Sequence, residues 1–122
     1  MKSYVYALIA SLILLGAHLL AIEHHLYVAY DPFDIFMHIF GGLALGLFIV
    51  SILKKRRYTL KHPVFVVLLG VFVLGLAWEI FEAMYNIAGH PVGTKLYYVD
   101  CIKDIIDDVV GGSIATIFLR KR

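Results

Sequence analysis

Three short stretches of this sequence could do chemistry. The first is Asp34 and His38, spaced i,i+4, which sets a carboxylate and an imidazole one helical turn apart. The second is Glu79 and Glu82, at i,i+3. The third is Asp104, Asp107 and Asp108, behind Asp100. Residues three or four apart share one face of a helix. Carboxylate oxygens suit hard cations such as Mg, Ca or Mn, and an added histidine admits Mn, Fe or Zn. The same groups could hydrogen-bond a polar head group. There is no G-x-S-x-G and no H-E-x-x-H. Binding of a divalent cation or a polar head group is therefore the first reading; metal-assisted work on a lipid-linked substrate is an extension of it that the sequence leaves open.

Such residues need elements to hold them, and these elements are strongly apolar. Hydrophobic residues make up 61% of the 122-residue chain, and the mean hydropathy is +0.86. Runs of eighteen or more apolar residues are long enough to cross the hydrocarbon core as helices. Four are expected, at about 4–22, 32–53, 63–85 and 101–119. The fourth carries charge in its first half. The predicted fold is all-α: a polytopic membrane protein, one domain over 1–122, built as a bundle of four transmembrane helices. Met1-Lys2 and the run after it read as the first span, since no A-x-A cleavage site stands out. Cys101 is the only cysteine and has no internal disulfide partner.

Charge sets the expected orientation. Lys54, Lys55, Arg56, Arg57 and Lys61 lie between the second and third spans. Arg120, Lys121 and Arg122 follow the fourth, and Lys2 precedes the first. Lysine and arginine collect on cytoplasmic loops. The expectation is a multi-pass protein of the cell (plasma) membrane with both termini cytoplasmic. All nine acids fall toward the opposite face, with five of the six histidines: His18, His24, His25, His38 and His90. The expected partner is the lipid bilayer, with anionic lipid at the basic belt. Those basic groups are short flanks and no broad surface, so no nucleic-acid partner is expected.

A helical count puts Asp100, Asp104, Asp107, Asp108, Gly111 and Ala115 within a stripe about 100° wide. Asp34, His38, Gly41 and Gly42 share a face, and so do Gly75, Glu79, Glu82 and Asn86. In the first span Ser11, His18 and His25 recur by sevens. Ionisable groups turn away from lipid, toward the bundle interior. Gly41, Gly42, Gly75, Gly111 and Gly112 would let helices approach closely beneath them. Asp31-Pro32 reads as a helix start, and Asp100 as a cap for the fourth helix. Lys103 can pair with Asp107 at i,i+4. Trp78, Tyr85, Tyr27, Tyr30, Tyr97 and Tyr98 fit an interfacial belt.

The order D-x-x-x-H (Asp34 to His38) then Gly41-Gly42, W-E-x-x-E (Trp78 to Glu82) and D-x-x-x-D-x-x-D-D-x-x-G-G (Asp100 to Gly112) resembles the small YjdF-like bacterial membrane proteins. It is similar, more distantly, to the VanZ-like family, whose pattern has Gln at the position of Glu82 and Asn at that of Asp108. The resemblance covers the last three spans and carries over for Asp34, His38, Glu79, Asp104 and Gly111. It implies a polytopic membrane protein. The link of VanZ-like members to glycopeptide resistance is not carried to this chain. Two other readings stay open: a proton or cation transporter, and a structural or assembly protein whose acids are interhelical hydrogen-bond partners. The inner halves of the spans lack ionisable groups, so transport would need a homo-oligomer to complete a path.

Overall fold

A computed structural model of the chain describes residues 2–30, 32–56 and 59–120. Its elements are α1 (Lys2–Glu23), α2 (Leu26–Ala29), α3 (Pro32–Lys55), α4 (Pro63–Met84) and α5 (Lys95–Ala115), with a 3-10 turn at Thr116–Leu119. No strand occurs among the described residues. α1, α3 and α4 are each long and apolar enough to cross a membrane. α5 runs beside them for 21 residues and carries the acids.

The element bounds differ most from expectation in α5, which starts at Lys95 and not near Cys101. Thr94 caps it, accepting a hydrogen bond from the Tyr97 backbone N–H at 3.3 Å. Asp100 is therefore no cap; it sits inside the helix. The apolar-run count missed this start because Tyr97, Tyr98 and the charged Lys95 do not lengthen an apolar run. Asn86 leaves the expected face of α4, because the helix ends at Met84 and Asn86 takes a left-handed φ of 57°. His25 likewise lies beyond α1, at φ 54°. Asp31, Arg57, Lys121 and Arg122 fall outside the described residues, so the Asp31 cap and those three basic positions carry no structural statement.

α3 is the hub. α1 packs along one side of it, and α5 makes its most extensive contact on the other. α4 leans mainly on α5. The register follows from the glycines. A Cβ on Gly42 would fall on the Asp108 carbonyl oxygen, and one on Gly111 on that of Ile39. At Gly46 it would meet Ala115 Cβ at 2.6 Å. Positions rise together along both helices, so α3 and α5 run parallel, backbone against backbone. On α4 the order reverses: Gly75 meets Asp108 and Val71 meets Gly112, an antiparallel pair. Gly41 departs from the expected role, since its nearest neighbour is Leu14 of α1 at 3.9 Å, an ordinary contact. Gly46, not singled out from sequence, takes the close approach instead.

Two apolar clusters fill the bundle below this contact. Ala7, Ala10, Ala44, Leu47 and Ala115 join α1, α3 and α5. Val50, Val67 and Val71 are fully buried, with Leu53 and Leu119 packed on them. Small residues at helix crossings gain van der Waals contact where lipid supplies no hydrophobic drive. Tyr4, Ser51, Lys54 and Lys55 line one cavity, which brings the start of α1 to the end of α3. The basic ends thus meet at one pole and the acids at the other.

The glycine contacts make a direct prediction. Gly111→Ala pushes a methyl group into the α3 backbone and should cost at least ~2 kcal/mol. Gly16→Ala, where a Cβ meets nothing within 4 Å, should be neutral or stabilise by up to ~1 kcal/mol. Thermal unfolding of the two purified variants in one detergent checks the difference.

Candidate functional site

One turn above the α3–α5 contact, His38 faces three carboxylates. Its Nδ1 lies 3.2 Å from Asp108 Oδ1. An ionised carboxylate only accepts, so the ring donates from Nδ1. Nε2 points the other way, 3.6 Å from Asp104 Oδ2 and 3.7 Å from Asp34 Oδ1. Both separations exceed a hydrogen bond. Asp34, His38 and Asp104 each offer one donor atom, and these atoms lie within 4.8 Å of one another.

The helices explain why. Asp34 and His38 share a face of α3 at i,i+4. Asp104 and Asp108 do the same on α5, one turn and two turns into the parallel contact. Asp104 is 3% exposed and Asp108 5%, while Ile102, Ile106 and Val110 on the far side of α5 are open. The apolar face of α5 is thus exposed, and its acids turn inward.

The remaining oxygens of Asp34 and Asp104 meet the ammonium of Lys103. Lys103 Nζ donates to Asp104 Oδ1 at 2.8 Å and to Asp34 Oδ2 at 3.4 Å. Asp100 Oδ1 and Asp107 Oδ2 lie at 3.9 and 4.0 Å. The i,i+4 pair between Lys103 and Asp107 is the longest of the four contacts and no hydrogen bond. Asp107 Oδ2 is buried without a hydrogen-bond partner among the described residues.

Glu79 closes the site from α4. It is 5% exposed, and its Oε1 is buried without a hydrogen-bond partner among the described residues. It stands one turn from Gly75, where α4 meets the Asp108 carboxylate. The Cys101 thiol lies beside it. Glu82, half-buried one turn further, makes no ion pair among the described residues. Four carboxylates, of Asp34, Asp100, Asp104 and Asp107, thus lie within 4.0 Å of Lys103, with Asp108 on His38 and Glu79 and Glu82 on the neighbouring face of α4. That surplus favours a cation and opposes an anion.

Of the positions singled out in the sequence, Asp34, His38, Asp104 and Asp108 come together directly. Glu79 and Asp107 adjoin them, and Glu82 stands further off. Asp100 and Lys103 are the members that sequence reasoning missed as site residues. The spacing D-x-x-K-D-x-x-D was the available signal, once α5 is known to start at Lys95. His18 is elsewhere: its Nδ1 lies 2.7 Å from the Tyr27 hydroxyl, near Phe33. Burial foremost, then the negative Asp34 and Glu82, hold the Tyr27 phenol above its usual range. Trp78 is half exposed and stacks on Phe81, with centroids 5.3 Å apart, as an outward-facing aromatic.

The whole chain, residues 1–122, matches the family described as Predicted membrane protein (DUF2238), and the chain belongs to that family. No curated protein and no solved structure matches it.

His38 is the hinge of this network, and removing it tests the network. His38→Ala leaves Asp104 and Asp108 buried with one fewer partner and should cost about 3 kcal/mol. The midpoint of thermal unfolding in detergent measures it, with circular dichroism reporting whether helix content is kept at low temperature.

Proposed function

As a member of that membrane-protein family the chain sits in a lipid bilayer, and we propose that it binds a divalent cation at His38, Asp34 and Asp104. One observation carries the reading: His38 is tied at Nδ1 by Asp108 and aims an unbonded Nε2 between two carboxylate oxygens. Metal-ligating histidines donate their other ring N–H to such a partner, which fixes the tautomer. Donor atoms about 2.0–2.1 Å from a four-coordinate ion stand about 3.4 Å apart. The imidazole-to-carboxylate distances of 3.6 and 3.7 Å are near that spacing, and all three donor atoms lie within 4.8 Å of one another. Glu79 would supply a further oxygen from α4. Bound metal would supply a Lewis acid toward the acidic pole of the bundle, which could polarise a lipid-linked phosphate. The apolar Val50, Val67 and Val71 layer below supports binding over transport through the monomer.

The orientation is part of the proposal. Lys2, Lys54, Lys55, Arg56, Lys61 and Arg120 support cytoplasmic termini in a plasma-membrane protein. The motif order from Asp34 to Gly112 supports the finer YjdF-like placement within the family. A structural role is the second reading, favoured by the 2.8 Å Lys103–Asp104 hydrogen bond, which ties charges within the α3–α5 seam.

Metal binding separates the two. Purified protein titrated with Mn2+ should take up a single ion per chain, read by electron paramagnetic resonance. Asp104→Asn should abolish uptake, and Asp108→Asn should weaken it ~10–100-fold by freeing the imidazole. A wild-type protein that stays metal-free at millimolar Mn2+ would leave the structural reading. For topology, green fluorescent protein fused after the last residue should fluoresce, and a periplasmic phosphatase there should be inactive; the opposite pair of results would invert the orientation.

A further inference from the structure

Asp34 and Asp104 each divide their two oxygens between different neighbours. Asp34 Oδ1 and Asp104 Oδ2 face His38 Nε2, while Asp34 Oδ2 and Asp104 Oδ1 face Lys103 Nζ. A carboxylate that serves two cations from its two oxygens is the bridge of a two-cation site, whose ions stand roughly 3.5–4 Å apart. Here one of the two positions holds an ammonium belonging to the chain. Four carboxylates surround it, from Asp34, Asp100, Asp104 and Asp107, at 2.8 to 4.0 Å. That is an oxygen-only nest of the kind hard divalent ions take.

We propose that Lys103 is the built-in second cation of a carboxylate-bridged pair, which restricts the site to one metal ion. The proposal rests on the cation-binding reading of His38, Asp34 and Asp104. Independent support for a ligand comes from Glu79, 5% exposed, with Oε1 unpartnered among the described residues on the α4 face that meets Asp108. The ammonium also explains how α3 and α5 stay packed: it neutralises repulsion among carboxylates that would otherwise part the helices. Its half-exposed stem lets the long side chain reach back to a neighbouring residue. Lysine is a point charge with rotatable donors, suited to such a seat and displaced from it by no geometric demand of its own.

The experiment counts ions. The full chain in lipid nanodiscs is titrated with Mn2+ and followed by paramagnetic resonance and metal analysis. Wild type should take up a single ion with the spectrum of an isolated centre. Lys103→Gln should take up a second ion, and the two should give an exchange-coupled spectrum. Lys103→Arg, which keeps the cation, should stay at one. A single ion in both wild type and Lys103→Gln overturns the role of Lys103 and leaves the cation site standing. No ion in either overturns both. An ion in Lys103→Gln alone puts the lysine in the single cation seat and overturns the proposed pair. Should Lys103→Gln not fold, the acylation rate of Lys103 in wild type decides. Acylation of Lys103 by an amine reagent, scaled to the exposed Lys95, should not speed up when Mn2+ is added; faster acylation means the metal displaces the ammonium and overturns the proposal.

Discussion

The contact of two backbones holds this molecule in register. At Gly42 and Gly111 neither α3 nor α5 leaves room for a Cβ, because the facing carbonyl oxygens of Asp108 and Ile39 occupy it. Lipid tails are as apolar as leucine, so helices in a bilayer gain by close approach and not by leaving water. Two glycines on two helices therefore fix depth and rotation together. A shift of one residue would put a side chain where a backbone now lies. Once α3 and α5 are locked in parallel, Asp34 and His38 have no choice but to face Asp104 and Asp108, since each sits on the same face one or two turns above the glycines.

That geometry makes the charges tolerable in oil. A carboxylate alone at this depth would be costly. Here Asp104 and Asp108 are almost wholly covered, and each has a nitrogen within 3.2 Å. The lipid-facing side of α5 carries Ile102, Ile106 and Val110 instead. Packing and electrostatics thus depend on one another. The glycines bring the acids close, and His38 and Lys103 remove the repulsion that would undo the glycine contact. Breaking a buried pair by deleting one partner is far more harmful than never having had it.

The sequence showed the acid stripe of α5 and the D-x-x-x-H of α3, because both depend only on helical phase. It showed that glycines would lie beneath them. Phase does not say which neighbour a face meets, and the misses have that origin. Gly41 and Gly42 differ by only 100°, yet one meets Leu14 of α1 at ordinary distance and the other meets the α5 backbone. Gly46 lies one turn below Gly42 on that seam, and nothing acidic beside it drew notice. Spacing alone offers Lys103 only Asp107 at i,i+4, and a helix starting near Cys101 would put it at the rim. The Thr94 cap adds almost two turns and carries Lys103 into the network.

The number of aspartates on α5 is more than a helix–helix ion pair requires. One carboxylate facing His38 would satisfy the ring, and one more would satisfy the lysine. Asparagine at Asp34 or Asp104 would hold a similar shape, but it offers a single acceptor oxygen, and its amide would turn N–H donors toward a cation. A carboxylate presents two acceptors and spreads one negative charge across both. Only that group can face an imidazole on one edge and an ammonium on the other, as Asp34 and Asp104 both do. The short aspartate stem adds precision, since it has few rotamers with which to lose the geometry. Residue type, helix register and the parallel seam together keep an imidazole and an ammonium on shared oxygens.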